Sequence, residues 1–226
     1  TAALPAVYLA FPLAHNFCFY IGFQGFCIGL GLMLYSLGYY ISLNKKRSVP
    51  GHFVLGLLVL ITAFFHLFTA VVVLLALAIH QLLIMISNRS IKVTGIGLLV
   101  ISLIPATVFC LHFIFSKSEG TDLGGVSISQ RLSDLVDGVV MITIDTAEMS
   151  YAHFFNVLIL LALTLALFER WRKKTGISPV DFLLLTAILL FGLFLVLPFS
   201  MSSGGFIPRR LMICAYLLLG AWLSLH

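Results

Sequence analysis

Residues 51–87 carry no Asp, Glu, Lys or Arg, and basic clusters close this run on both sides. Lys45, Lys46 and Arg47 precede it in "NKKRS", and Arg89 and Lys92 follow it in "SNRSIK". One straight helix over the run would be about 55 Å long at about 1.5 Å per residue. A bilayer's hydrocarbon core is only about 30 Å thick. Lys and Arg favour cytoplasmic loops, so both ends should lie on the same side and the chain between them should cross an even number of times. Two helices with a tight bend near His66–Thr69 satisfy both constraints. His66 is then expected near the outer face, with His80 deeper on the returning helix, so that the two are not stacked along one helix.

The rest of the chain is of the same kind. It is 61% hydrophobic and 9% charged, with a mean hydropathy of +1.15, where a soluble domain is about 25% charged. The composition predicts an all-α polytopic integral membrane protein, and the long apolar runs exclude an outer-membrane barrel. Spans are expected at roughly 17–42, 51–66, 67–87, 94–116, 151–168, 179–200 and 208–226. With the apolar piece 1–14, punctuated by Pro5 and Pro12, this makes seven or eight crossings in a single transmembrane domain over 1–226. The chain opens at Thr1 without Met and stops at His226 inside an apolar run, as expected of a segment of a longer protein. The formal charge of +5 comes from clustered loop anchors and gives no reason to expect nucleic acid as a partner. Cys18, Cys27, Cys110 and Cys214 form no CxxC and no metal spacing, so no cofactor or metal site is expected.

The third basic cluster, "ERWRKK" with Arg170, Arg172, Lys173 and Lys174, completes nine of the thirteen basic residues in three short loops. Six of the eight acids lie in 117–150: Glu119, Asp122, Asp134, Asp137, Asp145 and Glu148. The basic loops are placed inside, as in a multi-pass protein of a bacterial inner membrane, and 117–150 is placed outside. Within that segment Ile128, Leu132, Leu135, Val136, Val139 and Ile142 recur at helical spacing, and Ser127 with Gln130 resembles a capping box. This predicts an amphipathic helix on the outer interface. His15 and Asn16 fall on the same outer side, and so does "SMSSGGFIPRR".

Arg209 and Arg210 break the positive-inside pattern. They head an inward-running helix whose N-terminus already favours anions, and the guanidinium fork suits phosphate. They are the candidate phosphate-binding pair, with His15 and Asn16 beside them. His66, Asp134, Asp137 and Glu148 are the candidate acids and bases, since an ionisable group at membrane depth is a functional candidate. His80 is read as a helix–helix hydrogen bond. Haem would need a second facing pair of histidines, and His15, His112 and His153 lie on three different segments. Gly25 and Gly29 form a small-xxx-small pair for close helix packing.

The order of these features is a Gly-rich helix start "HNFCFYIGFQGFCIGLGLML", a basic loop, an apolar hairpin with His at its bend, an outer amphipathic segment and a final helix headed by "RR". In this order the chain resembles the middle of a polytopic GT-C-class glycosyltransferase, or the uncharacterised bacterial membrane proteins related to that class. The resemblance implies an extracytoplasmic site, membrane lipid surroundings and a polyprenyl-phosphate-linked sugar as donor. It also implies a catalytic Asp or Glu in the first outer loop, a region expected upstream of Thr1. Sugar transfer is therefore the expected activity. The alternative is a non-enzymatic membrane subunit of a transport or secretion assembly, with protein partners in the membrane. The topology itself is testable. Single cysteines at 120–130 and 201–205 are expected to react with an impermeant thiol reagent added outside, and cysteines at 45–47 and 172–174 are not; outside labelling of 45–47 would overturn the scheme.

Overall fold

The computed structural model describes residues 17–46, 48–88, 93–116, 127–137, 149–197 and 206–225. Among them the architecture is all-helical: α1 (Phe17–Tyr20), α2 (Gln24–Lys46), α3 (Val49–Phe65), α4 (Leu67–Asn88), α5 (Val93–Ser116), α6 (Ile128–Val136), α7 (Met149–Lys173), α8 (Asp181–Val196) and α9 (Ile207–Ser224). Five segments are long and apolar enough to cross a membrane: Gln24–Asn44, Leu67–Ser87, Ile96–Ser116, Met149–Lys173 and Ile207–Ser224. α3 and α8 are apolar but shorter, at 17 and 16 residues. The expected helix over 17–42 is in fact broken. Gly22 takes φ +83, its N–H bonds the Phe19 carbonyl, and α1 ends before α2 begins. The chain forms two compact units, Phe23–Ser118 and Thr1–Gly22 with Glu119–His226.

The first unit holds α2–α5. Its reversal occupies one residue: His66 caps α3 with extended backbone, its N–H bonding the Thr62 carbonyl, and α4 starts at Leu67. The contacts that follow show a full reversal. Phe65 and His66 meet Gly25 and Phe26, Thr69 meets Gly29, and His80 meets Tyr40, all at the same offset along the chain, so α2 and α4 run parallel. α3 runs back between them and in turn parallels α5, Gly56 lying on Ser102 and Phe64 on Phe109. The bend forecast from length and loop charge is therefore present. As expected, the two histidines do not lie on one helix, for His66 sits at the break and His80 on α4. Both rings nevertheless pack against α2, His66 edge-on to Phe26 and His80 edge-on to Tyr40.

Small residues let these helices approach. A Cβ on Gly29 would stand 2.6 Å from Thr69 Oγ1 and 2.9 Å from His66 Cβ, and one on Gly25 would stand 2.9 Å from the Phe65 carbonyl oxygen. The small-xxx-small reading of this pair therefore holds, and each close contact involves atoms that pack against α2 at the hairpin. Gly56 is tighter still, because a Cβ there would run into the Ser102 backbone carbonyl of α5.

The second unit holds α1 and α6–α9. α8 and α9 form an antiparallel pair, with Asp181 beside Trp222 at one end and Phe191 beside Tyr216 further along. α7 packs on the pair through Ala152, Phe155 and Ile159 and leaves most of its apolar surface exposed. Tyr151 and Trp171 are among its most exposed residues, at 75% and 76%. They are about 30 Å apart along the axis, which matches the hydrocarbon thickness and the spacing of aromatic anchors at two interfaces. α7 is long and apolar enough to cross a membrane.

The glycine contacts give a test with opposite signs. Gly56→Ala is expected to lower the thermal midpoint in detergent, by the equivalent of about 1–3 kcal/mol for overpacking against backbone. Gly31→Ala, with nothing within 4 Å of the added carbon, is expected to be neutral or stabilising by up to about 1 kcal/mol. Equal effects would contradict the close α3–α5 approach.

Candidate functional site

The charged side chains of the second unit gather at the two ends of the α7–α9 packing. At the end where α7 finishes and α8 starts, the Arg170 guanidinium grips both carboxylate oxygens of Asp181 as a fork, and its Nη2 also donates to the Gly176 carbonyl at 2.9 Å. Asp181 accepts two more bonds, from the Ser178 N–H at 2.7 Å and Trp222 Nε1 at 3.0 Å. The guanidinium lies 5.8 Å from the Trp222 ring centre. Both charges are largely withdrawn from solvent, with side chains 18% and 12% exposed. Every acceptor of the carboxylate is answered, so this cluster is a finished lock between three helices rather than an open site.

The opposite end is built differently. α6 starts with Ser127, whose hydroxyl accepts the Gln130 N–H at 3.2 Å. The reciprocal half of the capping box is absent, because the Gln130 side chain turns forward to Asp134 at 3.1 Å. The apolar stripe of α6 is exposed at Ile128, Leu132 and Val136, and the buried residue is Arg131, at 5% exposure. That is the reverse of a helix laid on a protein core and suits one whose apolar face looks into lipid. Arg131 Nη2 donates to the Leu197 carbonyl at the end of α8, at 2.9 Å, and the guanidinium sits 5.5 Å from the Phe194 ring centre. Its Nε is buried without a hydrogen-bond partner among the described residues. Burial pulls its pKa below the usual arginine range while Asp134 pulls it back; starting so high, it stays a cation at neutral pH.

α9 begins one loop further on. Phe206, at its N-cap, holds the left-handed conformation with φ 59, and no side chain caps the helix. An aromatic residue in that region is strained. Arg210 is buried and hydrogen-bonds the thiol of buried Cys18. Arg209 is half-buried, 5.7 Å from the Phe206 ring centre and within Coulombic reach of Asp134. Asn156 of α7 ties the elements together: its Nδ2 donates to the Leu135 carbonyl of α6 at 3.0 Å, and its Oδ1 accepts the Tyr216 hydroxyl of α9 at 2.7 Å. Beside it His153 Nε2 stands 3.4 Å from Asp137 Oδ1, and Ser133 Oγ donates to Asp137 Oδ2 at 2.9 Å.

Of the residues singled out from sequence, Arg209, Arg210, Asp134 and Asp137 therefore share one end of one unit. His15, Asn16 and Glu148 lie outside the described residues. His66 belongs to the other unit, where its ring packs between Phe26 and Phe68 and its carbonyl accepts the Thr69 hydroxyl. A groove of about 550 Å³ in that unit is lined by neither arginine. Sequence reasoning missed Arg131, His153, Asn156 and Tyr216. Arg131 did carry a signal, as the one cation on the expected outer helix. Among the described residues no group of three or more His, Cys, Asp or Glu is placed to hold a metal ion. No protein-family model, curated protein or solved structure matches this chain.

The Arg170–Asp181 lock has a measurable consequence. Asp181→Asn keeps the shape and leaves the guanidinium buried without its counter-charge, so it is expected to cost about 3–5 kcal/mol of stability. Replacing both residues together, Arg170→Met with Asp181→Leu, is expected to restore most of the loss in thermal unfolding. A single substitution as mild as the double one would contradict the lock.

Proposed function

We propose that this chain belongs to a multi-pass protein of a bacterial inner membrane, crossing seven times with α3 and α8 as short spans, that transfers a sugar from a polyprenyl-phosphate donor at its extracytoplasmic face. The observation that carries the reading is that Arg209 and Arg210 head the uncapped α9 while Arg209 shares Asp134 with the buried Arg131, in the unit that also holds the carboxylate–imidazole pair of Asp137 and His153. Asp134 is within Coulombic reach of both Arg131 and Arg209, and Arg210, next to Arg209 in sequence, is buried. A phosphate suits such guanidinium groups through charge-assisted, forked hydrogen bonds and gains from the helix N-terminus.

The chemistry follows from the charges. The acceptor hydroxyl attacks the anomeric carbon of the donor, forming the new glycosidic C–O bond. The bond from that carbon to the phosphate oxygen breaks, and its electron pair leaves with the phosphate. The arginines stabilise the charge that develops there. His153, oriented by Asp137, takes the proton of the acceptor hydroxyl.

The test is sugar transfer by the complete protein in membranes, from a polyprenyl-phosphate-linked sugar. Removal of one oxyanion-stabilising donor typically costs about 100- to 1,000-fold in rate, and Arg209→Ala is expected to fall in that range. Arg209→Lys keeps the charge but loses the fork, so it is expected to lie between Ala and wild type. His153→Gln is expected to lower the rate. Wild-type transfer by an Arg209→Ala, Arg210→Ala double variant would reject the reading and leave a non-enzymatic membrane subunit as the better account.

A further inference from the structure

Independently of the site in the second unit, the α2–α5 unit contains a polar relay that ends at a lipid-facing groove. Tyr40 of α2 is its centre. The phenol oxygen takes a bond from Gln81 Nε2 at 2.7 Å and is also hydrogen-bonded by Asn44. With its oxygen occupied by those two amides, the hydroxyl proton is directed at His80 Nδ1, 2.6 Å away, which makes His80 the neutral tautomer carrying its proton on Nε2. Gln81 thus spends its amide N–H on Tyr40. Its carbonyl oxygen Oε1 makes no hydrogen bond among the described residues and is not sealed in the core. Gln81 lines a groove of about 550 Å³ between α4 and α5, whose remaining wall is apolar apart from Thr107. The Thr107 hydroxyl is already committed to the Leu103 carbonyl, so of the two polar side chains lining the groove Gln81 is the one with an uncommitted acceptor.

That acceptor lies within the membrane. Gln81 is seven residues before the end of α4, about 10 Å in along the helix axis. An amide oxygen facing hydrocarbon without a donor is costly, and saturated acyl chains cannot supply one. At about 30 Å³ for each water-sized group, the groove has room for roughly eighteen heavy atoms, which is one chain rather than two. We propose that the α4–α5 groove binds a single-chain lipid alcohol, whose hydroxyl donates to Gln81 Oε1 while its tail lies along Leu82, Val100 and Ile104.

The experiment uses the full chain in phospholipid nanodiscs with two photoreactive probes, hexadecanol bearing a diazirine in its tail and the methyl ether of the same molecule. Labelled peptides are located by mass spectrometry. A single hydrogen bond corresponds to a preference of about fivefold, so the alcohol is expected to label α4–α5 peptides about five times more than the ether. Gln81→Leu is expected to bring that ratio to one. Dioleoylglycerol, which has the hydroxyl but two chains, is expected not to compete. The proposal is overturned if the wild-type chain labels equally with alcohol and ether, a comparison that needs no variant to fold. It is also overturned if Gln81→Leu keeps the preference, or if dioleoylglycerol displaces the alcohol as well as unlabelled hexadecanol does.

Discussion

A guanidinium and a carboxylate taken out of water are tolerable only when each answers the other, and the α7–α9 unit turns on such a pair. Asp181 sits at the first residue of α8, where a negative charge already meets the positive end of the helix. Arg170 reaches it from the last turn of α7, and Trp222 reaches it from α9. One carboxylate therefore fixes three helices at once. Breaking a buried pair of this kind costs more than making it gains, so the cluster acts as a constraint on geometry. It sets how α9 is rotated, and with the Tyr216–Asn156 bond further up the helix it sets which way the start of α9 faces.

What that start presents is built from other contacts. At the lock, charges cancel and acceptors are full. At the far end Arg131 leans on a carbonyl and an aromatic ring, with Asp134 in Coulombic reach, and Arg210 leans on a thiol. An exposed apolar stripe on α6 and an aromatic pair on α7 are the features a membrane interface selects, and there the dielectric is lower than in water and a phosphate would be held more strongly than on an open surface. On α6 the apolar stripe is exposed while Arg131 closes over the end of α8.

Much of the helical layout was legible in the sequence because the bilayer imposes it. Length and loop charge located the reversal at His66, and Gly25 with Gly29 announced the close approach of α2. The break at Gly22 was not legible, because an apolar run reads as continuous until one glycine adopts a positive φ. The Arg170–Asp181–Trp222 cluster was hidden for another reason. Arg170 reads as one more cation of a basic loop, Asp181 as an isolated acid, and the tryptophan that joins them lies forty-one residues further on. Arg131 escaped because α6 was read, on the outer interface, for its apolar stripe and its acids, and the cation among them was passed over. With the apolar stripe exposed, the polar residue is what packs.

The account depends on the arginines at the start of α9 being an anion site and not a set of headgroup anchors. A structure of the complete protein in a bilayer disc with polyprenyl phosphate bound would decide it most directly. The account requires phosphate oxygens at about 2.7–2.9 Å from guanidinium nitrogens of Arg209 or Arg210, with Arg131 within reach and the chain leaving towards lipid. A phosphate seated instead among the basic residues that end α7, with Arg210 still on Cys18 and Arg131 still on Leu197, would contradict it.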